Sequence, residues 1–270
     1  MKIKFNRMFV LPLIGLIFSL ILFNCGDSST SSNNSNSNYI HPSIPLKVGN
    51  TYTYTNDSIP NGGNPILLPI KSYDTIKAAF NFSGKYGYQI FDRSKNTITN
   101  TQVAFDTIYL SYDSTNYKLY QFGVQKFINP ALPAQWDLIG DFSQPVGQPY
   151  NIGSVDYTVN IPTLGSIEFT GPLTAKIAID TTITTTNNIT PKTVKCVRIE
   201  LSANISGNAP PPLSETITAS IVFDDFIGYA SGTNPCGIVA IRLRPFNFTT
   251  SGLTLVKEPG FDRFLSDWTP

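Results

Sequence analysis

The sequence predicts an all-β fold: a large curved antiparallel sheet that closes as an open half-barrel or splits into a sandwich, with almost no helix after the first two dozen residues. Three observations predict it. Apolar and polar residues alternate with period two along most of the chain, turn-forming residues separate the alternating runs, and no run of comparable length holds a helical spacing of three and four. The 270 residues carry a formal net charge of +1, which predicts no broad electrostatic attraction for nucleic acid or anionic lipid.

The alternation is clearest in the second half. Leu173, Ala175, Ile177 and Ile179 alternate with Thr174, Lys176 and Asp180. Val197, Ile199, Leu201, Ala203 and Ile205 alternate with Arg198, Glu200, Ser202 and Asn204. Two further runs, Ile217 to Phe223 and Val239 to Leu243, repeat the pattern. Asn187-Asn188, and Gly207 with Pro210-Pro211-Pro212, supply the turns between them. In the first half Tyr52 and Tyr54 share a face, as do Tyr86, Tyr88 and Ile90. Phe105 to Tyr112 and Tyr117 to Phe122 form a hairpin over Asp113-Ser114-Thr115-Asn116. Ala131 to Tyr150 breaks the pattern, because Pro133, Pro145 and Pro149 argue against a central strand. Its Trp136, Phe142 and Tyr150 make it a cover over the end of the core or a lid on a concave face. Tyr52, Tyr54, Trp136 and Trp268 are expected to fill or rim the core. A sheet of roughly ten to twelve strands curls or splits.

The first residues follow a different logic. Lys2, Lys4 and Arg7 precede an apolar run, Met8 to Phe23. As a helix those residues span roughly 24 Å, short of the ~30 Å core of a bilayer, so residues 1–24 read as an export signal. Leu22-Phe23-Asn24-Cys25 then resembles the lipobox of bacterial lipoproteins, although Phe23 and Asn24 depart from its commonest small-residue form. The resemblance implies that Cys25 is acylated and becomes the mature N-terminus. Two acyl chains suffice for stable anchoring where one is marginal. Gly26, in place of an aspartate directly after the cysteine, implies the outer membrane rather than the inner. Residues 25–43 include Ser28 to Asn38, which carries no apolar side chain and reads as a disordered tether with a reach of roughly 20 Å. Residues 44–270 then form a single β-rich domain.

A second resemblance lies at the start of that domain. Pro45-Leu46-Lys47-Val48-Gly49-Asn50-Thr51-Tyr52-Thr53-Tyr54 is similar to the Pro-Leu-x-x-Gly-Asn-x-Trp-x-Tyr phrase that opens the mature domain of many uncharacterised bacterial lipoproteins, with Tyr52 in place of Trp. Gly228 to Gly232 and Gly237-Ile238-Val239 resemble a turn of the same group, interrupted here by Thr233 to Cys236. The resemblance implies a β-rich envelope domain and no activity. Half-barrels of this kind that hold acyl chains suggest a hydrophobic ligand by analogy of fold alone.

The chemistry of catalysis is sparse. The lone histidine, His41, falls in the tether, which excludes a histidine-centred triad or multi-histidine zinc site in the domain. No phosphate-binding, dinucleotide or nucleophile-elbow motif occurs, and no metal or cofactor is expected. Cys196 and Cys236 would join in an oxidising envelope, stabilising the fold by roughly 4 kcal/mol, or stand as two free thiols. Asp57, Asp113 and Asp141 read as turn-capping residues. Adjacent Asp224 and Asp225 would point to opposite faces of a strand. The sequence thus favours a non-enzymatic, lipid-tethered binding or structural domain. Its partners are the membrane through its anchor, and a hydrophobic ligand, an envelope protein or a glycan. The alternative is an envelope hydrolase using Asp224 with Glu200 or Asp262.

Overall fold

A computed structural model describes residues 46–161, 165–184, 193–211, 214–228, 237–251 and 253–269. Cys25, His41, Cys236 and the side chain of Trp268 lie outside the described residues. Six strands follow one another as a meander: β1 (Thr51–Ile59), β2 (Ile66–Phe82), β3 (Lys85–Asn96), β4 (Gln102–Asp113), β5 (Lys118–Phe122) and β6 (Trp136–Asp141). A second meander runs through β7 (Pro149–Ile161), β8 (Gly165–Thr184), β9 (Thr193–Asn208), β10 (Thr216–Gly228) and β11 (Gly237–Leu243). The hairpin β12 (Phe246–Thr250) and β13 (Leu253–Glu258) branches off against β10. Finally β14 (Gly260–Thr269) inserts between β1 and β11 and joins the two meanders. All these pairings are antiparallel, and the twelve-strand path curls into a nearly closed barrel. The expected hairpin over Asp113 to Asn116 is β4–β5.

Period-two alternation sends one side chain in two inward. A cross-strand row of Ile76, Ile90 and Ile108 is buried, as are Ile177, Ile199 and Ile241 across the barrel. Tyr52 and Tyr54 on β1 are buried among them. The interior is filled rather than hollow: a Cβ placed on Gly140 of β6 would meet Cδ1 of Ile199 on β9 at 2.7 Å. Each fully buried aliphatic side chain contributes about 1.5–3 kcal/mol relative to exposure.

The segment Ala131 to Tyr150, read from sequence as a cover or lid without a central strand, contains the short edge strand β6, which pairs only with β5. Prolines 133 and 145 bracket it, and an edge strand is where such flanks are tolerated. The two free edges, β6 and β7, meet through side chains. A single helical turn, α1 (Val124–Ile128), fills the seam. Gln125 O accepts from the backbone N–H of Asn129 at 2.7 Å and closes the turn; its own backbone N–H donates to Asp137 Oδ2 on β6 at 2.7 Å, and its side-chain amide donates to Ile152 O on β7 at 3.3 Å. Tyr150 Oη accepts from the backbone N–H of Asp141 at 2.7 Å. Among the described residues no helix is long and apolar enough to cross a membrane.

Trp136, expected to fill or rim the core, clamps the outer face of the sheet. Its Nε1–H donates to Phe82 O at 2.8 Å, and its ring packs edge-on to Phe82 and Phe122. The indole lies over Gly87, where a Cβ would meet Trp136 Cη2 at 2.7 Å. Glycine at 87 is therefore required by close approach and not by backbone conformation. Gly87→Ala should displace the indole, red-shift Trp136 emission in a Trp268→Phe background and lower stability by about 1–3 kcal/mol. An unshifted spectrum with full stability would contradict this packing.

Candidate functional site

Strand pairing aligns the residues of the hydrolase alternative. Lys176, Glu200, Asp224, Arg242, Asp262 and Asp57 stand opposite one another in sequence of strands β8, β9, β10, β11, β14 and β1. They form one continuous charge ladder on the outer face. Arg242 grips Asp262 through Nε at 2.6 Å and Nη2 at 2.8 Å. Arg244 grips Asp224 through Nε at 2.7 Å and Nη2 at 2.8 Å, and its Nη2 also donates to Glu200 Oε2 at 2.7 Å. Lys176 closes on the other side of Glu200.

This geometry suits a clamp. Burial works against the charge of Glu200, yet hydrogen bonds from Lys176 and Arg244 outweigh it and hold the carboxyl below its usual range. A general acid needs the opposite shift, toward a proton held near neutral pH. Fork-to-fork arginine–carboxylate pairs of this kind fix strand register more than they perform chemistry. Asp57, expected to cap a turn, lies instead in β1 opposite Asp262; burial and then the negative charge of Asp262 raise its pKa. Asp113 and Asp141 do cap turns: Asp113 Oδ1 accepts from the amides of Thr115 and Asn116 at 3.0 Å, and Asp141 Oδ1 from that of Ser143 at 3.1 Å.

A second charged constellation lies inside the barrel. Asp74, Asp92 and Asp106 form a cross-strand row on β2, β3 and β4, an arrangement of like charges that is unfavourable unless opposed. Arg263 on β14 opposes it. Its Nη2 lies 2.6 Å from Asp74 Oδ2, its Nη1 donates to Asp92 Oδ2 at 3.0 Å, and its guanidinium sits 4.3 Å from the centre of the Tyr54 ring. Arg263 is 2 % exposed and is the largest fully buried side chain among the described residues. Burial pushes Asp74 well above the usual carboxylate range, with Arg263 pulling it back and Asp92 adding to the rise. The signal for this site is an arginine in the inward phase of β14, between Phe261 and Leu265.

Asp224 and Asp225 do face opposite ways. Asp225 points inward between Ile199 and Ile241, is fully buried, and accepts no hydrogen bond among the described residues. Burial, then the charge of Asp224, raise its pKa well above the usual value. Cys196 is also buried on β9. Its Sγ lies 3.4 Å from Val194 O, burial pushes its thiol up to about 12, and its backbone stands opposite Gly228, the partner of Gly237. Cys236, the expected partner, is outside the described residues.

Two open clefts mark the outer surface. One of about 440 Å³ follows the β6–β7 seam between Gln125, Trp136, Asp137, Ile152 and Ser154. The other, about 620 Å³, lies between β9–β10 and the β12 hairpin, lined by Asn204, Ser206, Thr218, Phe246 and Asn247. Among the described residues no group of three His, Cys, Asp or Glu is placed to hold a metal ion.

Arg263→Met removes one side of the inner constellation and leaves carboxylates buried without their cation. It should cost about 3–5 kcal/mol in denaturant unfolding, and a loss below 1 kcal/mol would show that the pair does not hold the fold. For Asp225 the folded pKa exceeds the unfolded one, so folding takes up a proton. That contribution is neutral below the ordinary carboxylate range, near pH 4. It erodes stability, by up to ~1.4 kcal/mol per pH unit, as pH rises from there toward the folded pKa. Asp225→Asn should flatten this decline relative to the parent protein, and parallel pH profiles for the two would contradict the assignment.

No family model and no curated protein matches the chain. Two solved structures resemble it along most of its length. One is a candidate lipoprotein of Parabacteroides distasonis, with TM-score 0.47 and 10% identity, covering 83% of this chain and 97% of that one. The other is a candidate exported protein of Bacteroides fragilis with a YmcC-like fold, with TM-score 0.45 and 12% identity, covering 84% of this chain and 98% of that one.

Proposed function

We propose that the chain is an extracytoplasmic lipoprotein of the bacterial envelope, anchored through acylated Cys25 in the outer membrane, whose barrel serves as a non-enzymatic binding or structural domain. The filled interior carries this reading: Ile199 packs against Gly140 across the barrel, and Arg263, Tyr52 and Tyr54 occupy the rest. A substrate or acyl chain would have to displace a packed core and a buried ion cluster, so contacts with other molecules belong to the outer surface. The charged run before Met8, the apolar run to Phe23 and the Leu22 to Cys25 phrase support export and anchoring. The hydrolase alternative receives no matching support, because Glu200, Asp224 and Asp262 are each engaged by arginine.

Detergent cloud-point separation of the full-length protein from its own cells tests the anchor. The native chain should partition into the detergent phase and Cys25→Ala into the aqueous phase. Equal partitioning of the two would remove the anchoring residue from the proposal.

A further inference from the structure

Strand pairing gathers basic residues that the sequence scatters. The outer face of β2 and β3 carries Lys71, Lys77, Arg93 and Lys95, with Lys71 directly opposite Lys95. The acids of β2, β3 and β4, from Ile66 to Thr107, are Asp74, Asp92 and Asp106, and all three stand in the inner row. The outer wall is thus purely basic over this stretch. On the other half of the barrel, by contrast, Arg198, Arg242 and Arg244 are neutralised by Glu200, Asp224 and Asp262.

Aromatic rings lie between these cations. Arg93 sits 5.5 Å from the centre of Phe105 and 5.7 Å from that of Phe91, and Lys77 lies 6.0 Å from Phe91. The wall runs on into exposed aliphatic side chains where β2 begins and β3 turns into β4. Leu67 is 69% exposed, Ile98 80%, Val103 50% and Phe105 49%. Such a patch, apolar, flanked by these cations and meeting Asp57 of β1 at the Leu67 edge, marks a contact surface.

The chain itself indicates what covers it. The segment leading from Cys25 enters the barrel against β2: Gly49 N–H donates to Ile76 O at 2.9 Å, and Ile76 N–H to Asn50 O at 3.0 Å. The entry point is therefore next to Lys77, at one end of the basic wall. On the anchored reading above, attachment at Cys25 keeps this wall beside the bilayer. Aliphatic side chains such as Leu67 and Ile98 stack poorly on sugars but enter the boundary between headgroups and acyl chains, while lysine and arginine reach up to phosphate.

We propose that the outer wall of β2–β4 docks on an anionic bilayer surface, with Lys71, Lys77, Arg93 and Lys95 on lipid phosphates and Leu67, Ile98, Val103 and Phe105 at the interface. This rests on the anchored reading for the occupant, but its test does not require acylation. The mature chain from residue 25, made with Cys25→Ser so that no lipid can be attached, is sedimented with vesicles of phosphatidylcholine alone or mixed with phosphatidylglycerol. It should bind the mixed vesicles, bind more weakly as salt rises, and ignore the neutral ones. The quadruple change Lys71→Gln, Lys77→Gln, Arg93→Gln and Lys95→Gln should weaken binding roughly a thousandfold. Lys195→Gln with Lys257→Gln, exposed positions on other strands, should leave it unchanged. Absence of binding to mixed vesicles, or equal binding by the quadruple variant, overturns the proposal. Retention by an acidic polysaccharide without vesicle binding would assign the wall to a glycan and overturn it as well. Failure here with an acylated Cys25 leaves the anchor standing, and success with an unmodified Cys25 leaves the wall standing.

Discussion

The contact of Arg263 with Asp74 and Asp92 is the constraint around which the barrel is organised. One guanidinium on β14 reaches past β1 to two carboxylates on β2 and β3, with Tyr54 of β1 beneath it. Taking three ionisable groups out of water is expensive, and it is tolerable only where geometry lets each charge meet its counterpart. That demand fixes the register of four strands together, because a one-residue slip of any of them turns its charge to the outside. Hydrophobic rows alone would fill the interior in several registers; the ion cluster permits one.

The same alternation sorts charge by face. Between Ile66 and Thr107 the acids of β2 to β4 turn inward, toward Arg263, and the bases outward, so a nearly neutral chain acquires a basic wall. On the other strands a ladder of both signs, from Lys176 on β8 to Asp57 on β1, stands on the outer face, while Asp225 and Arg263 turn inward. The two halves share a fold and differ in what they present to the surroundings. Net charge cannot report this, since it adds the hidden acids to the displayed bases.

Much of the architecture was legible in the sequence, because period-two patterning states which side chains are buried without reference to partners. The strands around Ile177, Ile199 and Ile241, the β4–β5 hairpin and the opposed directions of Asp224 and Asp225 follow from it. What local pattern cannot express is pairing across long separations. Arg263 and Asp92 are 171 residues apart, and nothing near either names the other. Lys71 and Lys95 become neighbours only through the β2–β3 register. The pattern does not show on which face Trp136 packs; its Nε1–H finds Phe82 O on the outer face, where Gly87 leaves room. Strand β6 was missed because prolines on both sides mask so short an edge strand.

The strand order carries a consequence for how the molecule is made. Among the described residues β14 comes last of the fourteen strands in chain order, yet it lies between β1 and β11, joining the two meanders. Contacts between such distant segments form slowly, since a long loop must close before they are rewarded. In a chain made N-terminus first, both meanders are present before the strand that unites them. The cluster around Arg263 therefore acts as a latch that engages only once β14 has joined both meanders.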